Sequence, residues 1–441
     1  MGWHFDNTFA RELPWLGVRI DPDPVAEPGL VALNEPLAVE LGLDPDYLRS
    51  PDGVAILAGN YVPPGAEPVA QGYAGHQFGH FSPVLGDGRA HLLGELIAPD
   101  GSRHDLALKG SGRTPFARNG DGRAALGPML REFVVSEAMH ALGIPTTRSL
   151  AVVTTGETVR RELPLRGAVL TRVAASHLRV GTLELAASRG SADQLGQVVE
   201  YVRARHYPTL AAHEPLALLA AITDAQVELI AQWLSVGFIH GVMNTDNMTL
   251  SGETIDYGPC AFLDAYQPDT VFSSIDHEGR YRYANQPAIA AWNLARLAES
   301  LLPLTPGDAA VQQATDLVSA VPERIEARLV DLRAERLGFG EPADEQVGEL
   351  MESLERNRLD LTGTFRALAA ATSPELLARN PAVVPRNQTL DAALTAAEAG
   401  DLQPFNALLA AVRDPYTEAD ERFTSPAPAE FTESFVTYCG T

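Results

Sequence analysis

The stretch VMNTDNMTLSGETIDYG, residues 242–258, gathers Asp246, Asn247 and Asp256 between two apolar runs. Asp-Asn followed nine residues later by Asp supplies clustered hard oxygen donors, the kind that divalent cations take. Directly upstream, ITDAQVELIAQWLSVGFIHG (222–241) has apolar residues at helical spacing and predicts a helix that feeds the chain into this stretch. The 441 residues, 45% of them hydrophobic, suffice to bury such a helix within two or three packed sub-structures.

The bulk numbers narrow the partners. With 33 basic and 57 acidic side chains the net charge is −24, which disfavours nucleic acid or an anionic membrane. A small basic pocket for a polyphosphate is compatible with that charge. No unbroken apolar run reaches the roughly 18 residues of a membrane span, and MGWHFDNTFARELP lacks the basic-then-apolar pattern of a secretory signal. Two cysteines, Cys260 and Cys439, make no disulfide framework. The expectation is a soluble cytoplasmic protein. One compositional fact is sharper: Lys109, in LALKGSG, is the only lysine among the 33 basic residues. A compact ammonium is not interchangeable with a guanidinium, so Lys109 is a candidate for a specific task.

Along the chain, residues 1–75 are rich in Pro, Asp and Gly and read as an irregular arm with short helices, such as 36–42. Residues 76–165 have strand-and-turn character. GDGRAHLLGELIA sets a Gly-rich turn before a strand, HDLALKG is a strand ending on Lys109, and REFVVSEAMHAL (131–142) is a helix. AVVTTGETVRRELPLRGAVLTRVA predicts a hairpin with Thr-Gly-Glu at its turn. From about 184 the pattern is helical, through YANQPAIAAWNLARLAESLL and several Ala/Leu/Glu-rich helices in 307–413; the tail from Asp414 is expected to be extended. The fold class is therefore α+β and bilobal, a strand-rich lobe followed by a larger helical one. The divisions are 1–75 (extension), 76–165 and 166–306 (the two lobes) and 307–441 (helical extension and tail).

The opening stretch fits this order. Kinase-like catalytic loops carry His-x-Asp-x-x-x-x-Asn, in which Asp is the base and Asn a metal ligand, followed by an Asp-Phe-Gly whose Asp binds metal. Here His240 and Asn247 have that separation and Asp256-Tyr257-Gly258 follows, but the base position is Val242. Asp246, next to the Asn, can take over as base. A bare Asp-Asn is often only a turn; His240, Asp256 and Gly258 in register favour the functional reading. The other parts occur upstream in order: a Gly-rich turn Gly86-Asp87-Gly88-Arg89, the strand lysine Lys109 and the helix glutamate Glu132. Each of these is weak alone, since Gly turns and helix glutamates are common. KGSGRTPFARNGDGR (109–123) can form an anion nest, and Arg172 and Arg179 in TRVAASHLRVG suit phosphate oxygens. Loop flexibility and surface ion pairing are the ordinary alternatives. His76 and His80 in YAGHQFGHF have i, i+4 spacing, but the surrounding glycines and the lack of a following carboxylate argue against zinc.

These stretches, together with REFVVSEAMHALGIPTTRSLAVV and HGVMNTDNMTLSGETIDYGPCAFLD, resemble the SelO (YdiU) family over essentially the whole chain. The resemblance implies a kinase-like protein adenylyltransferase that binds ATP flipped and passes AMP to Ser, Thr or Tyr hydroxyls of proteins, releasing pyrophosphate. It implies Lys109, Arg172 and Arg179 on the phosphates, with Glu132 pairing with Lys109. It places Gly86, Gly88, Arg89, Asp121 and Gly122 around the nucleotide, Asn247 and Asp256 on Mg²⁺ or Mn²⁺, and Asp246 as base. UMP transfer with Mn²⁺ and a non-catalytic ATP-binding scaffold are the alternatives; an ordinary phosphotransferase is disfavoured by Val242. The chain departs from the family at Cys260 and at Phe116-Ala117. Some members hold selenocysteine where this chain has Cys439. That implies a redox role, with a Cys260–Cys439 disulfide tying the tail to the site, although cytoplasmic thiols are normally reduced.

Overall fold

The computed structural model describes residues 2–161, 163–340 and 342–438. It is a mixed α/β structure built on an antiparallel sheet. The strands are β1 (Gly17–Arg19), β2 (Gly29–Leu33), β3 (Val69–Gln77), β4 (His80–Gly86), β5 (Ala90–Ile97), β6 (Arg103–Lys109), β7 (Ala124–Ala125), β8 (Arg148–Arg160) and β9 (Pro164–Ala174). Their order is β1-β3-β5-β6-β9-β8-β2, with β4 on β3 and β7 on β9. The N-terminal arm is thus not irregular throughout: β1 and β2 pair into the sheet at its two ends. Strands of three and five residues set among Pro and Gly show no readable period; an existing edge forms them.

The sheet is covered on both faces. Leu106, Leu108, Val153, Val169 and Val173 pack under the short helices of residues 35–58, against Leu37, Leu48 and Leu57. Each such buried side chain contributes about 1.5–3 kcal/mol. The other face meets α1 (Leu126–Ala141), which packs on β8 and β9. This helix starts five residues before the expected 131. Gly127 and Pro128 read as breakers, yet a first turn tolerates proline. The β8–β9 hairpin forms, but Thr-Gly-Glu is not its turn. β8 continues through it to Arg160, with a register irregularity between Thr154 and Thr158. Gly156 there has φ +72, and a Cβ would lie 2.6 Å from that of Glu27, so this glycine marks a bulge that accommodates the arm.

The remainder is helical, with α2 (Val180–Arg189), α3 (Ala192–His206), α4 (Pro215–Ser235), α5 (Gln286–Leu301) and α6 (Val321–Leu337) as main elements. α4 is shifted from the expected 222–241: it starts at a proline and stops at Ser235. At 21 residues it is long and apolar enough to cross a membrane by length and composition alone. In the fold it packs between α5 and α6. Past Gly237 the chain forms β10 (Phe238–Ile239), paired antiparallel with β11 (Ala261–Phe262). This short pair closes the base of the segment 240–260, so its polar residues project together. The tail is not simply extended: it holds short helices at Glu421–Thr424 and Ala429–Ser434.

Candidate active site

The sheet register builds the first half of the site. Lys109 pairs with Leu170 across β6 and β9, and Ala107 with Arg172. Lys109 and Arg172 are therefore diagonal neighbours on one face, close enough for long side chains to converge. Glu132, buried on α1, meets both: Lys109 Nζ donates to its Oε2 at 2.6 Å and Arg172 Nη1 to its Oε1 at 3.3 Å. Lys109 also donates to Asp256. A second fastening on Arg172 was not expected. Its Nε donates to His177 Nε2 at 3.1 Å, and His177 Nδ1 lies 3.2 Å from Asp105. An Nε2 that accepts belongs to a neutral imidazole, and burial indeed pulls this histidine's pKa down.

Two loops make the roof. Gly86-Asp87-Gly88-Arg89 connects β4 to β5 as expected. Its glycines are required by the second loop: a Cβ on Gly86 would lie 2.4 Å from Phe116 Cγ, and one on Gly88 3.0 Å from the Ala117 Cα. Within 109–123, Gly122 has φ +75 and Gly112 N donates to Gly122 O at 3.1 Å, which folds the loop onto itself. Asp121 is held by Arg161, with bonds of 2.8 and 3.2 Å.

The opening stretch makes the floor. His240 is buried; its Nε2 donates to Ile255 O at 2.9 Å and its Nδ1 accepts from Val242 N at 3.3 Å. It ties the start of the loop to the residue before Asp256, a structural task in a neutral ring. Val242 is buried. Asn247 donates through Nδ2 to Val242 O at 3.0 Å, which leaves its Oδ1 available. Asp256 sits at φ +68, a conformation that costs a non-glycine residue on the order of 1 kcal/mol or more. Burial alone would raise its pKa; facing Lys109 and Arg172 it is instead held below the usual carboxylate range.

Asp246 has the opposite environment. It is 8% exposed, its Oδ2 accepts from Gln77 Nε2 at 3.2 Å, and its Oδ1 is buried with no hydrogen-bond partner among the described residues. Burial pushes its pKa up to about 6, against the pull of Arg179. Arg179 donates to the backbone O of Asp246 at 3.0 Å and stacks 4.3 Å over the Tyr73 ring.

These elements enclose a cavity of about 290 Å³. Every expected site residue lines it except Glu132, which lies behind Lys109 and Arg172. Six cationic side chains face four carboxylates around it, in a chain of net charge −24. That local excess suits a polyanion. Arg161 and Tyr73 also line it and were not expected, as does Arg123 at the end of the expected anion-binding loop. The Asp256 carboxylate and the Asn247 amide oxygen fit Mg²⁺ or Mn²⁺, hard cations that take oxygen ligands. His76 and His80 lie on different strands, β3 and β4; His76 bonds Glu184. Cys260 is buried, its thiol pushed up to about 11 by burial. Cys439, the other half of the expected pair, lies outside the described residues. Thr437 nearby donates to Pro259 O at 2.7 Å, which seats the tail beside the Asp-Tyr-Gly segment.

Comparison with known proteins gives the family. Residues 18–408 match the family model described as protein adenylyltransferase SelO. A protein of Mycobacterium sp. (strain KMS), named protein nucleotidyltransferase YdiU, is 52% identical, with 99% of each chain aligned. Proteins of the same name from Cereibacter sphaeroides (strain KD131) and Bacillus cytotoxicus are 52% and 51% identical, covering all of this chain and 100% and 98% of theirs. The chain belongs to the SelO family.

Proposed function

We propose that this SelO-family enzyme, a nucleotidyltransferase, transfers AMP from ATP to Ser, Thr or Tyr hydroxyls of proteins and releases pyrophosphate. The observation that carries the reading is Asp246: a buried carboxylate in the cationic cavity, with one oxygen unpartnered among the described residues and a pKa pushed up to about 6. A base with a pKa close to neutrality combines adequate strength with the right protonation state. Val242, at the position of the kinase base, cannot accept a proton, which disfavours ordinary phosphotransfer. The arrangement we infer is kinase-like and bilobal, with a strand-rich half that runs past the expected boundary at 165 to the end of β9 at Ala174, facing the helical half that follows across the cavity.

In this reading Asp246 takes the proton from the acceptor hydroxyl as its oxygen attacks the α-phosphorus. The bond from that phosphorus to the bridging oxygen breaks, and its electrons leave on pyrophosphate. Lys109, Arg172, Arg179 and Arg89 compensate the charge on the phosphates, an electrostatic contribution strengthened by a partly dry site. Glu132 holds Lys109 and Arg172 in place, and His177 fixes Arg172 from the other side. Asn247 and Asp256 would hold Mg²⁺ or Mn²⁺, which supplies further charge neutralisation when bound.

The test uses ATP labelled at either the α- or the γ-phosphate, with Mg²⁺ or Mn²⁺ and a mixture of acceptor proteins. Covalent label from the α-position alone is expected. Label from the γ-position alone would mean phosphotransfer and would remove the role given to Asp246. Parallel incubation with α-labelled UTP measures the competing UMP transfer.

A further inference from the structure

The cavity accounts for the nucleotide but not for the protein that receives it. The acceptor hydroxyl must reach Asp246, and the surface beside Asp246 has an unusual make-up. The end of β3 is sewn onto the loop: His76 N donates to Thr245 Oγ1 at 2.7 Å, Phe78 N to Asn244 Oδ1 at 3.0 Å, and Gln77 reaches Asp246. On the outer side of this seam the His76 ring meets Trp292 edge-on at 5.1 Å and Phe81 at 5.0 Å. The guanidinium groups of Arg280 and Arg296 both lie over the Trp292 ring, 4.9 and 5.0 Å from its centroid.

The charges there are incompletely matched. Arg280 makes no ion pair with a carboxylate among the described residues, and its Nε is buried without a hydrogen-bond partner. Its close carboxylate, Asp276, spends its two oxygens on the backbone N–H groups of Arg280 and Tyr281, at 2.8 and 2.7 Å. Among the described residues Arg296 pairs only with Glu299, one turn along α5 and 55% exposed, a pair of the kind that exchanges readily. Two like charges share one aromatic ring on a protein of net charge −24. Stacking on a ring attracts each cation but does nothing for their mutual repulsion; an anion from outside would. Next to them β4 exposes Phe81 and Val84, and this strand pairs only with β3 among the described strands. A free strand edge with exposed apolar side chains accepts extended polypeptide.

Resting on the nucleotidyl-transfer reading, we propose that Arg280, Trp292 and Arg296, with the free edge of β4, form the acceptor docking site, and that it selects extended segments with acidic side chains close to the hydroxyl to be modified. The cationic pair takes the acidic side chains, Phe81 and Val84 take apolar ones, and the seam through Gln77 sets the hydroxyl beside Asp246. The site is built mainly for recognition, so its charges should act on acceptor binding rather than on the chemical step.

The experiment uses the full chain and two fluorescent peptides, each with one tyrosine flanked by glutamates or by glutamines. Fluorescence anisotropy at low salt is expected to show the glutamate peptide bound about tenfold more tightly. Arg280→Gln should reduce that preference to about twofold, and Arg280→Glu should transfer it to a third, lysine-flanked peptide added for this arm, while Arg324→Gln, on α6 and paired with Asp224, keeps it. ATP affinity verifies that each variant is folded. Equal binding of the two peptides by the wild type, or an undiminished preference in Arg280→Gln, would overturn the site. Transfer of α-label to the peptides is followed separately. Labelling of both with the same KM refutes the docking site and leaves the transfer reading intact. Selective binding with no label on either peptide overturns the acceptor role, while the transfer reading stands or falls on the α-label found on the protein mixture.

Discussion

Asp246 and Asp256 stand ten residues apart in one loop, line one cavity and share one side-chain chemistry. Their surroundings push them in opposite directions. Asp256 faces Lys109 and Arg172 and stays ionised far below neutrality. Asp246 is buried with, among the described residues, a single side-chain donor, Gln77, and burial pushes its pKa up to about 6. Two carboxylates driven apart in this way mark two roles. The ionised one suits a metal and phosphate charge; the raised one suits moving a proton. The strained φ of Asp256 is a second difference, since backbone held out of its preferred region concentrates where geometry matters to function.

The division can be broken most severely at Asp256. In the proposed reading Asp256→Ala should lower AMP transfer by about 10³-fold or more, because it removes the proposed metal ligand and leaves Lys109 with Glu132 alone of the two carboxylates it meets. Isothermal titration should show ATP affinity falling as well. Asp246→Asn should lower kcat by about 10²-fold or more while ATP affinity stays within a few-fold. If the two variants lose ATP binding equally, the two aspartates do not differ in role.

Stability offers an independent contrast. The folded-state pKa of Asp246 lies above its ordinary value of 3.8, so its ionised form is disfavoured in the fold. The group costs nothing below pH 3.8, where it is protonated in both states. Its cost grows as pH rises through about 6, to an upper bound of about 3 kcal/mol at two units of difference. Asp246→Asn should therefore raise the thermal unfolding midpoint by a few degrees at pH 8 and leave it unchanged near pH 4. A gain of the same size at both pH values would point to packing rather than to charge.

The smallest effect belongs to Gln77. Gln77→Met removes the side-chain donor on Asp246 Oδ2, so the acid limb of the rate profile should move to higher pH. The rate at pH 7 should fall only a few-fold, as expected for a single hydrogen bond to a charged group. An unshifted limb would mean that Gln77 merely packs there.

What was legible in the sequence follows the range of the interactions. Lys109, Glu132, Asn247 and Asp256 were readable because their order and spacing repeat a known template and because Lys109 is the only lysine. His240 was found by the same spacing, although the structure gives it a fastening task. Gln77, His177 and Arg161 were missed because their partners lie 169, 72 and 40 residues away, beyond any local pattern. Gln77 sits on the β3–β4 hairpin between two histidines that drew the attention as metal candidates, and nothing local marks the glutamine itself. The glycines of the β4–β5 turn were found for an incomplete reason: their lack of a side chain makes room for Phe116 and Ala117. The edge strands β1 and β2 escaped because pairing, and not propensity, forms them. The helical half was easier to read in kind than in extent, as the displaced ends of α1 and α4 show.

The most direct test of the contrast is the pH–rate profile of AMP transfer under saturating ATP, measured with α-labelled ATP for the wild type and for Asp246→Asn. The wild-type rate is expected to fall below about pH 6 as Asp246 takes up a proton, and Asp246→Asn to keep a residual rate with no such limb. A variant that retains the same limb would show that the proton leaves the acceptor by another route, and the role assigned to Asp246 would be wrong.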